Sequence, residues 1–327
     1  MAPYIPPHRR GRRQQAAAAA ENTSTRKEED LYVLNNAFHR ICCINLDARI
    51  DKWKLIQRDA EKVGISFQQR IERFSAVEGN NQHQQQQQQK NDDDDVCLEW
   101  DGTMDAKYNR HGRPGPRTMT PSEVGCALSH IQLWRQLVQE EQPMHNNPNP
   151  AMLILEDDAR FSQVRGRSRF ATAFAKAWKL LPEDWGFLYL GLSDRGERTW
   201  LDDDDDETVD TTIAEAARFA AHHDDDDDRV TNPSIRLYQP DYGYHTHAYA
   251  IRKETAQRLL DNLPVCGPID VWLADNQWFS SSQQQQQGVY CAVIGNEGWK
   301  LEDGTYEGTD LVIQQRRGIA NDIEHCS

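Results

Sequence analysis

The sequence lacks the long apolar segments that cross membranes. No run approaches the roughly 18 apolar residues that predict a transmembrane helix, and the mean hydropathy of the chain is −0.84. Residues 1–15 are rich in proline and arginine and lack the apolar centre of a secretory signal. We therefore expect no membrane span, no secretory leader and a cytoplasmic location.

Two chemically informative motifs are also missing. The chain has no C-x-x-C pair and no G-x-x-x-x-G-K-[ST] phosphate loop, which excludes a P-loop NTPase. The cysteines are odd in number and scattered, at Cys42, Cys43, Cys97, Cys126, Cys266, Cys291 and Cys326. Most of them lie in apolar runs, a pattern typical of buried free thiols in a reducing compartment.

The negative charge is concentrated in low-complexity runs. The net charge is −15, but the runs at 92–95, 202–206 and 224–228 hold 14 aspartates, so the remainder carries −1. Such runs stay solvated, so the charge does not indicate a partner, and we expect no nucleic-acid binding. We predict a disordered tail over 1–35 and a single domain over 36–327. Low-complexity insertions are expected at about 80–118, 192–233 and 281–288.

The most informative stretch is an apolar strand that ends in three acids. Met152–Leu155 is typical of a strand buried on both faces, and Glu156, Asp157 and Asp158 follow at once. Open α/β sheets bind ligands at the carboxyl ends of such strands. Residues two apart share one side of an extended chain, so Glu156 and Asp158 can face one Mg²⁺ or Mn²⁺ ion. The alternative is a solvated acidic turn.

The remaining sequence alternates between strand and helix patterns. Predicted strands cover 41–46, 71–77, 187–191, 244–251 and 289–294, and predicted helices cover 50–63, 121–138, 170–181, 253–263 and 269–279. Thr120–Glu123 has the pattern of a capping box with proline at the first helical position. Strand, helix and strand over 41–77 predict a parallel βαβ unit. The segment 297–327 is expected to be mostly irregular.

Six motifs follow one another along the chain. They are Ile44–Asp47, Arg73–Gly79, Glu123–His130, Ile154–Asp158, Thr246–Ile251 and Pro268–Asp270. In this order they resemble glycosyltransferase family 25, which includes lipopolysaccharide-modifying transferases and collagen hydroxylysine galactosyltransferases. The resemblance runs from residue 40 to about residue 323. Lys52 and Asn321 depart from the pattern, at positions where the family usually has Arg and Ser.

The resemblance implies a fold and a reaction. The expected fold is α/β and GT-A-like, a Rossmann-like mixed sheet with helices on both faces. The expected reaction moves a hexose, with galactose favoured by the resemblance, from a UDP-sugar to a hydroxyl acceptor with inversion. The acceptor would be a glycan, a lipid-linked sugar or a protein. The proline-rich Tyr4–Arg9 segment is a candidate docking motif.

The metal site is expected to use the acidic step. A cation held by Glu156 and Asp158 would neutralise the departing diphosphate. His247 could complete the metal shell, or it could be a satisfied core histidine. Asp157 alternates to the other side, where a ribose contact or a supporting role is expected.

The donor and acceptor positions are assigned more loosely. Asn45, Asp47 and Arg49 end the first strand, where a uridine would lie, although the same residues suit an ordinary turn. Ser129 and His130 either face the donor or pack inside.

Inversion requires a base, and Asp270 is the candidate, with a simple helix cap as the alternative. Asp275 is a weaker candidate for the same role. Trp272, Trp278 and Trp299 could stack on a sugar ring or belong to the core. A second hypothesis is a non-catalytic binder or scaffold that kept the fold.

Overall fold

The structure, a computed structural model, describes a helix-flanked sheet and several short strand pairs. The described residues are 28–65, 71–79, 95–109, 112–140, 150–161, 163–164, 167–168, 170–201, 235–275, 288–294, 299–300, 306–307 and 310–314. The helices are α1 (28–36), α2 (Ile50–Lys62), α3 (Thr103–Tyr108), α4 (Pro121–Gln139), α5 (Phe170–Leu180), α6 (Lys253–Asp261) and α7 (Ile269–Asp275). None of these helices is long and apolar enough to cross a bilayer.

The strands divide into one large sheet and small pairs. In chain order they are β1 (Arg40–Asn45), β2 (Ile71–Ser75), β3 (Val96–Cys97), β4 (Glu99–Asp101), β5 (Pro116–Thr118), β6 (Ala151–Glu156), β7 (Ala159–Phe161), β8 (Gln163–Val164), β9 (Arg167–Ser168), β10 (Trp185–Asp194), β11 (Arg198–Trp200), β12 (Ile235–Pro240), β13 (Gly243–Arg252), β14 (Val265–Cys266), β15 (Gly288–Ile294), β16 (Trp299–Lys300), β17 (Tyr306–Glu307) and β18 (Val312–Gln314). The large sheet has eight strands in the order β11-β12-β15-β10-β13-β6-β1-β2.

The sheet is mixed, and its parallel strands point their carboxyl ends to one edge. β2, β1 and β6 are parallel neighbours, as are β10 and β15. β13 runs antiparallel between β6 and β10, so β6 and β10 point the same way. The parallel β1–α2–β2 unit was predicted from the sequence and is present. A mixed α/β sheet with helices on both faces confirms the predicted fold class.

Alternation along the central strand produces two cores. Leu153 and Leu155 pack on the side covered by α1, α2 and α5, whereas Met152 and Ile154 pack on the side covered by α4, α6 and α7. All four side chains have no exposed surface. At about 25 cal/mol per Å² of apolar surface removed from water, such a strand is among the largest sources of stability in the domain. Its end is therefore a rigid support for polar groups.

Helix α4 begins with the predicted capping box. Glu123 Oε2 accepts from the Thr120 backbone N–H at 2.7 Å, and Thr120 Oγ1 accepts from the Glu123 backbone N–H at 3.3 Å. A Cβ at Gly125 would collide with the Val77 carbonyl and the Gly79 backbone, so only glycine fits there. The close approach joins the start of α4 to the loop after β2.

The tail and the first insertion contain more structure than the sequence indicated. Residues 28–35 of the predicted tail belong to α1, with Leu34 fully buried. Parts of 80–118 form β3, β4, α3 and β5, and Trp100 is only 7% exposed. Neighbouring charged and glutamine-rich runs obscured these short apolar segments in the sequence. Residues 1–27, including the Tyr4–Arg9 motif, lie outside the described residues.

Two further expectations also need correction. In the segment expected to be irregular, Val312–Gln314 forms β18 and pairs with β7. Cys97 and Cys266, expected as free thiols, form a disulfide because the parallel β3–β14 pair places them side by side. Cys42, Cys43, Cys126 and Cys291 are free, and all but Cys126 are buried. Trp272 is a core residue that stacks on Trp134.

Candidate active site

Polar side chains converge where the parallel strands end. Asn45, Ser75 and Glu156 are the last residues of β1, β2 and β6, which are adjacent in the sheet. Thr246 and His247 lie on β13, the other neighbour of β6. This edge is where open α/β sheets bind their ligands.

Glu156 is held by one neutral donor and one histidine. The Thr246 hydroxyl donates to Glu156 Oε1 at 2.6 Å, and His130 Nε2 lies 3.4 Å from the same oxygen. Burial alone would raise the pKa of Glu156, but His130 and Thr246 outweigh burial and hold it at about 2. Glu156 is therefore an ionised carboxylate whose position is set by β13 and α4.

A chain of buried hydrogen bonds orients His130. Trp134 Nε1–H donates to the Tyr249 hydroxyl at 3.0 Å, since an indole nitrogen can act only as a hydrogen-bond donor. The Tyr249 hydroxyl in turn lies 2.8 Å from His130 Nδ1. In the tautomer with hydrogen on Nε2, the Tyr249 hydroxyl donates to His130 Nδ1. The Nε2 hydrogen of that tautomer faces Glu156 Oε1.

Asp158 has one oxygen bound and one buried without a hydrogen bond. The Gln314 amide of β18 donates to Asp158 Oδ2 at 2.9 Å, whereas Asp158 Oδ1 has no hydrogen-bond partner among the described residues. Burial and the nearby Glu156 carboxylate raise the pKa of Asp158 to about 7. Two carboxyl groups therefore repel each other at this point, and Lys52 offsets only part of that repulsion.

Asp157 lies in the turn after β6 and contacts α2 and β1. Its carboxylate forms an ion pair with Lys52 at 3.1 Å and accepts from Asn45 Nδ2 at 2.7 Å. Asn45 also accepts from Arg73 Nε at 2.8 Å and donates to the Arg49 carbonyl at 3.0 Å. Burial raises the pKa of Asp157 above its ordinary value, although Lys52 and Asn45 oppose it. These contacts tie β6 to β1 beneath the edge.

Asp47 and Arg49 lie at the more open rim. Asp47 pairs with Arg73 at 2.9 Å and accepts from Ser75 at 2.8 Å, and its side chain is 65% exposed. Arg49 pairs with Asp51 at 3.1 Å. Asp47 is accessible for a ligand at the crevice beyond β1, Arg49 is 20% exposed, and Asn45 is used within the protein.

His247 and Ser129 are packed inside the protein. His247 Nε2 donates to the Val312 carbonyl at 3.0 Å, so only Nδ1 has a lone pair for an ion. Only glycine fits at position 191, because a Cβ there would collide with the His247 imidazole. Ser129 donates to the Gly125 carbonyl at 2.7 Å and accepts from the Val77 N–H at 2.9 Å. It links α4 to the loop after β2.

Asp270 begins α7 and accepts two backbone hydrogen bonds. Its Oδ2 accepts from His245 N–H and its Oδ1 from Val271 N–H, each at 2.9 Å. His245 has a φ of 75°, an uncommon conformation for a non-glycine residue. Burial raises the pKa of Asp270 above its ordinary value. Asp275, the alternative base, lies at the other end of α7, and burial raises its pKa to about 6.

Some site residues were not identified from the sequence. Thr246, Gln314, Tyr249, Trp134 and Cys126 all contact or orient the acidic pair through tertiary contacts. Only Cys126 had a local signal, because it lies four residues before His130 on α4 and so shares a helical face with it. Gln314 lies 156 residues from its partner, a distance at which no pattern is visible.

The donor set fits a hard divalent cation. Mg²⁺ and Mn²⁺ prefer carboxylate oxygens and use few protein ligands, leaving positions for water and phosphate. Asp158 Oδ1 is a buried oxygen without a hydrogen bond, and Glu156 is ionised beside it. A bound cation would be a partner for Asp158 Oδ1 and would reduce the repulsion between the Asp158 and Glu156 carboxylates.

A mixed α/β sheet whose central parallel strand ends in such carboxylates is the architecture of GT-A-like glycosyltransferases. Comparison with known families agrees. The pattern described as "Glycosyltransferase family 25 (LPS biosynthesis protein)" matches residues 38–273. The chain belongs to glycosyltransferase family 25, as its motifs predicted.

Three curated relatives are similar over shorter stretches. A human protein named "Inactive glycosyltransferase 25 family member 3" is 38% identical over 76 residues, 23% of this chain and 11% of that protein. An Anopheles gambiae "Glycosyltransferase 25 family member" is 27% identical over 162 residues, and mouse "Procollagen galactosyltransferase 2" is 26% identical over 165 residues. Each of the last two alignments covers 48% of this chain and 20% of the relative.

Proposed function

We propose that this protein is an inverting glycosyltransferase. It would transfer a hexose, galactose by analogy with the mouse relative's name, from a UDP-sugar to an acceptor hydroxyl with the help of Mn²⁺ or Mg²⁺. The observation that carries the proposal is the pair Glu156 and Asp158 at the carboxyl edge of the sheet. The pair is oriented by the neutral donors Thr246 and Gln314, and a cation is the group it lacks.

Glu156 and Asp158 would hold the divalent ion. When bound, the ion supplies positive charge that stabilises the departing diphosphate. Thr246 and Gln314 each occupy one oxygen of the pair, which restricts the orientation of the others. The rim residues Asp47 and Arg49 would meet the nucleotide at the crevice beyond β1.

Asp270 would act as the base. Each of its oxygens accepts one backbone hydrogen bond and keeps a second lone pair that can take a proton from the acceptor hydroxyl. The two backbone donors fix the carboxylate, and burial raises its pKa, which makes it a stronger base than an exposed aspartate. The deprotonated hydroxyl oxygen would then attack the sugar carbon from the side opposite the diphosphate.

The acceptor would be a glycan, a lipid-linked sugar or a protein hydroxyl. The name of the mouse relative supports a protein acceptor, and the family description supports a lipopolysaccharide-type glycan. A donor screen comes first because hydrolysis of the donor needs no acceptor.

The test is donor hydrolysis with Mn²⁺ and a panel of UDP-sugars, read by mass spectrometry. We expect one UDP-hexose to be hydrolysed, and Asp158→Ala to lower the rate by about 100-fold or more. Asp261→Ala, an exposed aspartate at the end of α6, is the matched control and should leave the rate unchanged. Absence of hydrolysis and of donor binding in the wild type would refute the proposal.

A second candidate is a non-catalytic nucleotide-sugar binder or scaffold, favoured by the similarity to a relative named inactive. Calorimetry separates the two functions. A binder takes up UDP without a need for metal and gives no product, whereas the enzyme binds donor more tightly when Mn²⁺ is present.

A further inference from the structure

Three different metal-ligating side chains meet at the inner end of the site. Cys126 and His130 lie one helical turn apart on α4, and Glu156 ends β6 opposite them. One ligand atom from each lies within 4.8 Å of the other two, and His130 Nε2 is 3.4 Å from Glu156 Oε1. The cluster of Cys126, His130 and Glu156 is called the thiol cluster below.

These separations are close to those that a tetrahedral ion imposes. Zinc binds thiolate sulfur at about 2.3 Å and nitrogen or oxygen at about 2.0–2.2 Å, so its ligand atoms lie roughly 3.4–3.6 Å apart. The His130–Glu156 separation already has this value. The Cys126 sulfur lies within 4.8 Å of the other two ligand atoms, so a displacement of about 1 Å separates it from the tetrahedral distance.

His130 Nε2 is the second observation that indicates a ligand. His130 is fully buried, and its Nε2 makes no hydrogen bond of standard geometry within the described part of the chain. At 3.4 Å the contact with Glu156 is long for a hydrogen bond. A buried polar atom in this condition is costly, and an ion between Nε2 and the carboxylate would remove that cost.

The chemistry of the cluster differs from that of the acidic pair. Thiolate and imidazole ligands select soft or borderline ions such as Zn²⁺, whereas Mg²⁺ and Mn²⁺ prefer oxygen. Cys126 is partly exposed as a residue, whereas Cys42, Cys43 and Cys291 are buried. Three protein ligands leave a fourth position open for water.

We propose that the thiol cluster binds a thiophilic divalent ion such as Zn²⁺, at a position next to the hard-ion position and sharing Glu156 with it. On binding, the Cys126 thiol releases its proton to solvent and becomes a thiolate. The His130 proton moves from Nε2 to Nδ1, where the Tyr249 oxygen accepts it, the usual arrangement for a metal-bound histidine. No electron transfer is involved.

The site has a consequence for activity that rests on the proposed function. Because both positions use Glu156, zinc would compete with Mn²⁺ for this carboxylate. Zinc would then inhibit donor hydrolysis in competition with Mn²⁺. The binding itself stands independently of whether the protein hydrolyses a donor.

The experiment is titration of the metal-free protein with Co²⁺, followed by displacement with Zn²⁺. Cobalt in a thiolate site absorbs in the near ultraviolet through sulfur-to-metal charge transfer, which carboxylate sites lack. We expect this absorption in the wild type with one ion per chain, and its loss on addition of Zn²⁺. Cys126→Ser and His130→Gln should lower the Zn²⁺ affinity by about 100-fold or more. No thiolate absorption in the wild type overturns the proposal.

Two controls locate the site. Asp158→Asn, which alters the acidic pair alone, should keep the charge-transfer absorption. The double substitution Cys97→Ser and Cys266→Ser removes the other cysteine pair and should also keep it. Persistence of the absorption in Cys126→Ala, or its loss in the double variant, places the ion elsewhere and overturns the proposal. Absorption without donor hydrolysis would leave the site standing and remove the proposed function.

Discussion

The strands β10 and β6 flank β13 and run in the same direction, and the acids at their ends have different kinds of partner. At the end of β10, Asp194 is fully buried and forms an ion pair with Arg198 at 2.7 Å. At the end of β6, Glu156 and Asp158 receive hydrogen bonds from the neutral side chains of Thr246 and Gln314.

The difference distinguishes a carboxylate that stabilises the fold from carboxylates that can bind a ligand. Burial raises the pKa of Asp194, but Arg198 supplies a positive charge within the fold and lowers it. At β6 burial raises the pKa of Asp158 and the neighbouring Glu156 raises it further. A buried acid with its own cation completes the core. Two buried acids with neutral donors leave the compensating charge to come from a ligand.

The largest expected effect is at the end of β10, where Arg198 compensates the charge of Asp194. Arg198→Met leaves Asp194 buried without its cation and should lower the free energy of unfolding by about 3–5 kcal/mol. Guanidinium denaturation followed by circular dichroism measures this. Arg58→Met, at a side chain that is 64% exposed, is the control and should change little. Addition of Asp194→Asn to Arg198→Met should recover part of the loss. A loss below about 1 kcal/mol would remove the contrast between the two strand ends.

The next effect is the pH dependence of the acidic pair in metal-free protein. The pKa of Asp158 is raised from 3.8 to about 7, so its favourable contribution is complete below pH 3.8 and is lost as pH rises through 7. Asp158→Asn should therefore stabilise the chain at about pH 8, by on the order of 2 kcal/mol, and not at about pH 3.

Thermal unfolding in EDTA over this range measures the effect, with Asp261→Asn as the control at an exposed site. Saturating Mn²⁺ should stabilise the wild type more than Asp158→Asn. If Asp158→Asn destabilised the metal-free protein at high pH, the two carboxylates would not be repelling each other.

The smallest effect tests the support behind Glu156. Tyr249→Phe removes the hydroxyl that holds His130 Nδ1, so the imidazole should lose its orientation and Mn²⁺ affinity should fall by about 10-fold. Tyr290→Phe is the matched control, since the Tyr290 hydroxyl donates to Asp184 at 3.2 Å in another part of the sheet. Isothermal titration of Mn²⁺ measures both. Equal affinities in the two variants would show that the chain from Trp134 to Glu156 does not act on the site.

Local sequence patterns predicted the helices and strands that a few adjacent residues specify. The buried strand before Glu156 was visible as an apolar run, and the start of α4 was visible as a capping box. The helix over 28–36 and the strands within 95–118 were missed because each contains too few apolar residues for a clear period.

The roles of individual site residues were less predictable. For His247 the sequence left open a metal ligand or a core histidine, and in the fold its Nε2 donates to the Val312 carbonyl. For Ser129 it left open a donor contact or internal packing, and in the fold its hydroxyl bonds with the Gly125 carbonyl and the Val77 N–H. In each case the competing partner comes from a distant segment or from tight backbone packing.

By itself the sequence determined the family, the mixed α/β architecture and the position of the acids at the end of a central strand, because each depends on short-range pattern and motif order. Tertiary structure alone decided which neighbours those acids have. It brought Gln314 to Asp158, the Tyr249 hydroxyl to His130, and Cys126 to Glu156. The charge balance of a buried carboxylate depends on groups a few ångströms away in space, and sheet order rather than chain order determines which groups those are.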